Sequence, residues 1–283
     1  MHARTAARKH QKYCKRLLPI AHKSRVWLGL YSKRLERTSA EKAYSVFMTH
    51  QIHIQCPSHL KWFEPVLFKI TKGYISKFNE CWVPDFEGEK NLSGKLSHGD
   101  KLKDLKFIGP LSRFILVDEI NNKDEKYKVL IICSGPEPQR SVFEKMMTEE
   151  ILKTNLNSVL VRGVTENGIQ TEQINNLRII SYSASEELQN LIESSGLIIS
   201  RPGYSTIMDL VTLGKKAIFI PTPGQTEQEY LSENFMNRKI FYSCQQNNFT
   251  LLNALKESEK FSGIKIPVDS VLVSKTVASV LSK

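Results

Sequence analysis

The sequence contains no apolar run that approaches the roughly 18–20 residues needed to span a bilayer. It opens with no apolar core followed by a small-residue cleavage site, so no secretory signal is legible. The front end is basic and acid-poor like a transit peptide, but lacks the Ser-rich amphipathic pattern of one. Cysteine is scarce and unpaired: Cys14, Cys56, Cys81, Cys133 and Cys244 are scattered, with no two close together. That pattern reads as reduced thiols in a cytoplasmic setting rather than a disulfide framework. Nothing resembles a zinc finger, a helix-turn-helix or an RNA-binding aromatic motif, so nucleic acid is not an expected partner. Metal ligation has one candidate, His50, His53, Cys56 and His59. Their spacing fits no common zinc pattern and no second ligand cluster exists, so no metal is expected.

A chain of 283 residues has room for two modest domains. Its hydrophobic share of 41% and charged share of 24% are ordinary for a globular protein. The net charge of +11 is almost entirely local. Residues 1–42 hold 12 Lys/Arg against Glu36 and Glu41, a net of +10, while the rest of the chain is near neutral at +1. Such a leader suits an anionic membrane surface or a solvated, poorly ordered segment.

From residue 43 onward, secondary structure becomes legible. Tyr44–Met48 reads as a short strand, and Trp62, Val66, Ile70, Tyr74 and Phe78 have helical spacing. Glu80–Pro84 and Lys106–Gly109 read as strands around a polar loop over 85–105. Residues 118–126 are polar and linker-like, and the domain boundary is placed there. Beyond it, strands at Tyr127–Cys133, Ser158–Val161, Ile179–Ile180, Leu197–Ser200 and Ala217–Ile220 alternate with helices at Ser141–Leu152, Glu186–Ser194, Ser205–Leu213 and Glu227–Asn237. Continuous apolar strands between helices mean βαβ units and a parallel sheet buried on both faces. Ligands of such sheets bind at the carboxyl ends of the strands.

Three turns lie at that edge. In Cys133-Ser-Gly-Pro-Glu-Pro-Gln-Arg140, Ser134 and Gly135 permit close approach of a phosphate to the next helix, and Arg140 adds charge. An ordinary strand-helix loop explains the same residues, since two prolines remove two donors. In Ser200-Arg-Pro-Gly-Tyr-Ser-Thr-Ile-Met-Asp209, Gly203 admits a ligand and Ser205 or Thr206 can cap the helix. Asp209 follows about one turn in, where it can accept from ribose hydroxyls or complement the helix dipole. In Pro221-Thr-Pro-Gly-Gln-Thr-Glu-Gln-Glu-Tyr230, Gln225, Glu227, Gln228 and Glu229 crowd polar groups that suit sugar hydroxyls or a capped, solvated turn.

The run from Leu197 to Glu233 resembles the C-terminal domain of glycosyltransferase family 28, the MurG-like group. The likeness extends upstream through Tyr127–Gly135 and more loosely through His50–Phe114. The resemblance implies an α/β, GT-B-like fold: two Rossmann-like domains with parallel sheets, and a UDP-sugar donor held by the second. It places Asp209 on the donor ribose, and Gln228 and Glu229 at the donor sugar. Gly203, Tyr204, Ser205 and Thr206 match the turn near the diphosphate, Ser134 and Gly135 the Gly-rich phosphate loop, and Ser185, within 184–186, the uracil site. His50, with Gln51, resembles a cleft-facing motif and is the candidate general base. Arg201 or Arg140 would meet the leaving diphosphate, and no metal or other cofactor is required.

Two departures from the family pattern stand out. The first phosphate loop has one Gly where the pattern has two or more, and no Gly-rich acceptor loop opens the first domain. The expected organisation is a basic leader at 1–42, a partial, truncated acceptor-side domain at 43–117, and a donor domain at 127–283. The expected activity is transfer of a sugar from a UDP-sugar to a hydroxyl or lipid-linked acceptor. The expected location is cytoplasmic, with peripheral membrane contact through residues 1–42. Alternatives are a partner-dependent nucleotide-sugar-binding module and, on less support, a UDP-sugar epimerase.

Overall fold

The computed structural model describes residues 44–99, 102–114, 125–166, 168–266 and 270–281. The basic leader at 1–42 and most of the expected linker lie outside them. The chain divides into two compact units, the second spanning Phe114–Pro267 and the first taking the rest.

In the first unit, β1 (Val46–Met48), β2 (Glu80–Val83) and β3 (Leu105–Phe107) form a parallel sheet in the order β1-β2-β3. Helix α1 (Glu64–Ile75) connects β1 to β2 and opens with Pro65, whose fixed φ suits a first helical turn. Ile52, Ile75, Cys81 and Val83 form the core, with Phe47, Phe68 and Phe107 packed on it. The polar loop after β2 folds around one buried carboxylate. Asp85 accepts from the backbone N–H groups of Phe86, Leu92 and Ser93, each at 2.8 Å, and from the Ser93 hydroxyl at 2.5 Å. His98 lies over Phe107 at 4.5 Å and its Nε2 meets the Phe86 carbonyl at 2.8 Å, which gives it a structural role in this loop.

The second unit is a seven-stranded sheet. Its elements in chain order are β4 (Tyr127–Ile132), α2 (Gln139–Leu152), β5 (Ser158–Val161), β6 (Thr171–Ile174), β7 (Leu177–Ile180), α3 (Ser185–Glu193), β8 (Ser195–Ser200), α4 (Tyr204–Leu213), β9 (Ala217–Phe219), α5 (Thr226–Asn237), β10 (Tyr242–Ser243) and α6 (Leu251–Ser258). The strand order is β10-β9-β8-β4-β5-β7-β6, all pairs parallel except the β6–β7 hairpin. Setting β6 aside, this is the strand order of a Rossmann sheet, with β4 first and the order reversing between β4 and β8. Val129, Ile131, Leu160, Ile199 and Ile218 fill the centre, which explains the unbroken apolar runs. Helix α4 ends at Gly214, whose φ of +66° supplies the left-handed stop.

One expected boundary is corrected. The last helix, α7 (Ser270–Leu281), groups with the first unit, so the donor domain does not run to residue 283. Leu272, Lys275 and Thr276 of α7 line a groove with the β3 residues Leu105, Lys106 and Phe107. Among the described residues, no helix is long and apolar enough to cross a membrane.

Candidate functional site

The site is assembled from the sheet outward. Strands β9, β8 and β4 are neighbours, so the turns at their carboxyl ends stand side by side at strand spacing of about 5 Å. Those turns are the three that carry the sequence motifs. They lead into α5, α4 and α2, and none of these helices has a side-chain cap at its N-cap residue. The expected capping of α4 by Ser205 or Thr206 is therefore corrected. Gly203 is the N-cap, with no side chain to cap the helix, and Tyr204 opens it.

At the β4 exit, Ser134 and Gly135 are exposed and Gly135 takes a φ of +103°. A Cβ there would meet nothing within 4 Å, so the loop is open to a ligand. Arg140, one turn on, is engaged by carboxylates. Its Nη1 donates to Glu144 at 2.7 Å and its Nη2 to Glu137, while Glu144 also pairs with Arg162 Nε at 2.7 Å. This corrects Arg140 from a phosphate-facing cation to a member of a surface ion-pair network.

At the β8 exit, Tyr204 is buried, Ser205 is exposed and Thr206 is half-buried. Asp209 is the sixth residue of α4 and 5% exposed. The expected role of Arg201 is corrected most sharply. Its side chain is 1% exposed and lies 4.4 Å over the Phe143 ring. Nη1 donates to the carbonyls of Ile220 and Pro221 at 2.9 and 3.1 Å, and Nη2 to Gln246 Oε1 at 2.5 Å and the Gln139 carbonyl at 3.4 Å. Burial pulls this guanidinium down to about 10.

At the β9 exit, the polar cluster closes on itself. Gln225 is the N-cap of α5 and its Oε1 accepts from Gln228 Nε2 at 2.6 Å. Gln228 Oε1 accepts from the Thr222 N–H at 2.8 Å, and Glu229 Oε1 from the Gly224 N–H at 3.0 Å. These side chains order the turn that presents them. Ser185 opens α3 beyond β7, two strands from β4, about 10 Å along the sheet. His50 lies in the first unit, two residues past the carboxyl end of β1, half-buried. His53 stacks on Phe68 at 4.4 Å, and no group of three His, Cys, Asp or Glu among the described residues could hold a metal.

Among the described residues seven buried side-chain polar atoms lack a hydrogen-bond partner; Gln139 Oε1, Ser183 Oγ, Ser200 Oγ and Arg201 Nε lie along this edge, and the ion-paired Arg162 Nε, Ser232 Oγ and Asn234 Nδ2 are the others. Native interiors hold few such atoms, so their concentration at one edge marks it as a place built to meet something polar. Gln139 and Gln246 were missed by sequence reasoning. Gln246 stands in a polar run, Gln245–Asn248, with no motif to distinguish it from any loop.

Residues 128–264 match the family model of the glycosyltransferase family 28 C-terminal domain. An uncharacterised glycosyltransferase of Methanosarcina acetivorans is 26% identical over 189 residues, 63% of this chain and 49% of that protein. A UDP-N-acetylglucosamine transferase subunit of Kluyveromyces lactis is 30% identical over 106 residues, 34% of this chain and 54% of that one. The UDP-N-acetylglucosamine–N-acetylmuramyl-(pentapeptide) pyrophosphoryl-undecaprenol N-acetylglucosamine transferase of Buchnera aphidicola is 26% identical over 204 residues, 68% of this chain and 55% of that one. Among solved structures, MurG of Acinetobacter baumannii aligns with a TM-score of 0.43 at 15% identity, covering 75% of this chain and 58% of that one. The chain spans about half the length of the curated relatives it matches. The match to the glycosyltransferase family 28 C-terminal domain thus covers the second unit almost end to end.

Proposed function

We propose that this chain binds a UDP-sugar at the carboxyl edge of β4, β8 and β9 and passes the sugar to a hydroxyl acceptor with inversion. The observation that carries this reading is the coincidence of two things at the switch point of one sheet: the family motifs and orphaned buried polar atoms. In the proposed site, the N–H groups opening α4, with Ser134, Gly135, Gly203, Ser205 and Thr206, receive the diphosphate. Fixed dipoles suffice there, so the scheme calls for no metal. Asp209 accepts from the ribose hydroxyls, Gln225, Gln228 and Glu229 face the sugar, and the turn before Ser185 receives the uracil. Tyr204, packed beneath, shapes the turn. The acceptor oxygen attacks the anomeric carbon, the bond to the diphosphate oxygen breaks, UDP leaves with the electron pair, and the hydroxyl proton passes to a base. A cytoplasmic location, a lipid-linked acceptor and membrane contact through the basic residues 1–42 fit this scheme.

A second reading is a donor-binding module that completes its site with a partner. It is favoured by one relative that is itself named as a subunit. Calorimetry with UDP tests both readings, and a protein that binds no UDP removes both. Release of UDP in the presence of a hydroxyl acceptor by this chain alone supports the first and removes the second. The ribose assignment has its own test: Asp209→Ala is expected to weaken UDP binding by about tenfold or more. Unchanged affinity rejects it.

A further inference from the structure

The turns that the donor reading uses are tied together by one side chain. Arg201 leaves β8 at Ser200, turns inward, and spreads its fork across the exits of three other elements. Ile220 and Pro221 begin the turn after β9, Gln139 is the first residue of α2, and Gln246 stands in the short 3₁₀ turn after β10. The loop with Ser134 and Gly135 runs directly into Gln139. The turn with Gln225, Gln228 and Glu229 runs directly from Pro221. A cation sealed from water must be compensated, and here carbonyl dipoles, one amide oxygen and the Phe143 face do so. Only a planar guanidinium reaches partners on both sides at once; an ammonium is a single point.

We propose that Arg201 is a positioning residue that holds the β4, β8 and β9 turns in register for the donor, and does not itself touch the diphosphate. The inference rests on the donor reading above. It separates cleanly from a charge role. A cation on the diphosphate acts on UDP and not on uridine, survives replacement by lysine and is screened by salt. A brace acts on every ligand of the three turns alike, fails with lysine and is indifferent to salt.

The test compares uridine and UDP binding to the full chain by calorimetry at two salt concentrations, for the wild type, Arg201→Lys, Arg201→Met and Gln246→Ala. The expected result is that both Arg201 variants weaken uridine and UDP by the same factor, about tenfold or more, with no change in salt dependence. A loss confined to UDP, restored by lysine, overturns the proposal. Hydrogen exchange supplies a readout that needs no ligand. The amides of Thr222, Gly224, Gln225 and Asn248, each hydrogen-bonded within these turns, are expected to lose protection in Arg201→Met while the sheet amides keep theirs. Unchanged protection at those four also overturns the proposal. If the wild type binds neither uridine nor UDP, the donor reading falls and the exchange data decide the brace by themselves. Should Arg201→Met fail to fold, Gln246→Ala removes one arm of the fork. It is then expected to shift uridine and UDP together by a few-fold, and a shift in neither overturns the proposal.

Discussion

Cys133 sits directly beneath Ser134 and is buried, and that burial pushes its thiol from 9.0 up to about 12. Its proton is therefore held more tightly in the folded chain than in the unfolded one. The corresponding stability is fully present below pH 9 and is lost as the pH rises towards 12. Urea titrations between pH 9 and 11 are expected to show a fall in wild-type stability that Cys133→Ala lessens, by up to about 1.4 kcal/mol per pH unit. Equal slopes in the two proteins reject that account. At this scale, legibility divided by chemistry. The motif residues Asp209, Gln228 and Glu229 could be named because their types and spacing are distinctive. Their bonding could not, because Gln228 and Glu229 satisfy N–H groups of their own turn. Arg201 was named for its charge, yet its environment sets its role: an arginine in sequence carries no mark of whether it faces water or Phe143.

The element scale shows that a helical period does not by itself say which face is buried. Trp62, Val66, Ile70 and Tyr74 do lie along one stripe of a helical segment, but it is the outward stripe: Trp62 is 72% and Ile70 50% exposed. Phe68 and Ile75 make the core contact instead. Apolar spacing reports a helix whichever side is buried, so the face needs the sheet to decide it. Accordingly, Ile70→Ser is expected to change stability by less than about 0.5 kcal/mol, and Ile75→Ala to cost about 2–5 kcal/mol, both measurable by urea unfolding. Most strands and helices between Tyr127 and Asn237 were legible because buried parallel strands are apolar and short. Strand β6 was not. Its residues Thr171–Ile174 are mostly exposed and polar, and it is fixed as a strand by the hairpin it forms with β7 through Asn175, at a φ of +50°. Strand β10 has two residues, too few for any pattern.

For the whole molecule, the two units differ in what they can bury. The second has a central sheet covered by helices and the Phe219–Phe235–Phe241 cluster, with ring centroids 5.1 to 6.5 Å apart. The first has three strands of three or four residues. Residues 114–267 expressed separately are expected to unfold in urea in one cooperative step with a stability of about 5 kcal/mol or more, and to keep UDP binding. Residues 44–113 expressed separately are expected to give no such step, since so small a core is marginal. A broad transition in 114–267, or a sharp one in 44–113, contradicts this. The parallel sheet of the second unit could be expected from alternation of strands and helices. The grouping of the last helix with the first unit could not, because Ser270–Leu281 carries no signal of its destination in its composition.

That return of α7 makes the second unit an insertion within the first. As the chain leaves the ribosome, the donor-side sheet can close while the first unit still lacks a piece. The first unit is then completed only once Ser270–Leu281 has been made and has joined it, so loss of that helix strikes the first unit and spares the second.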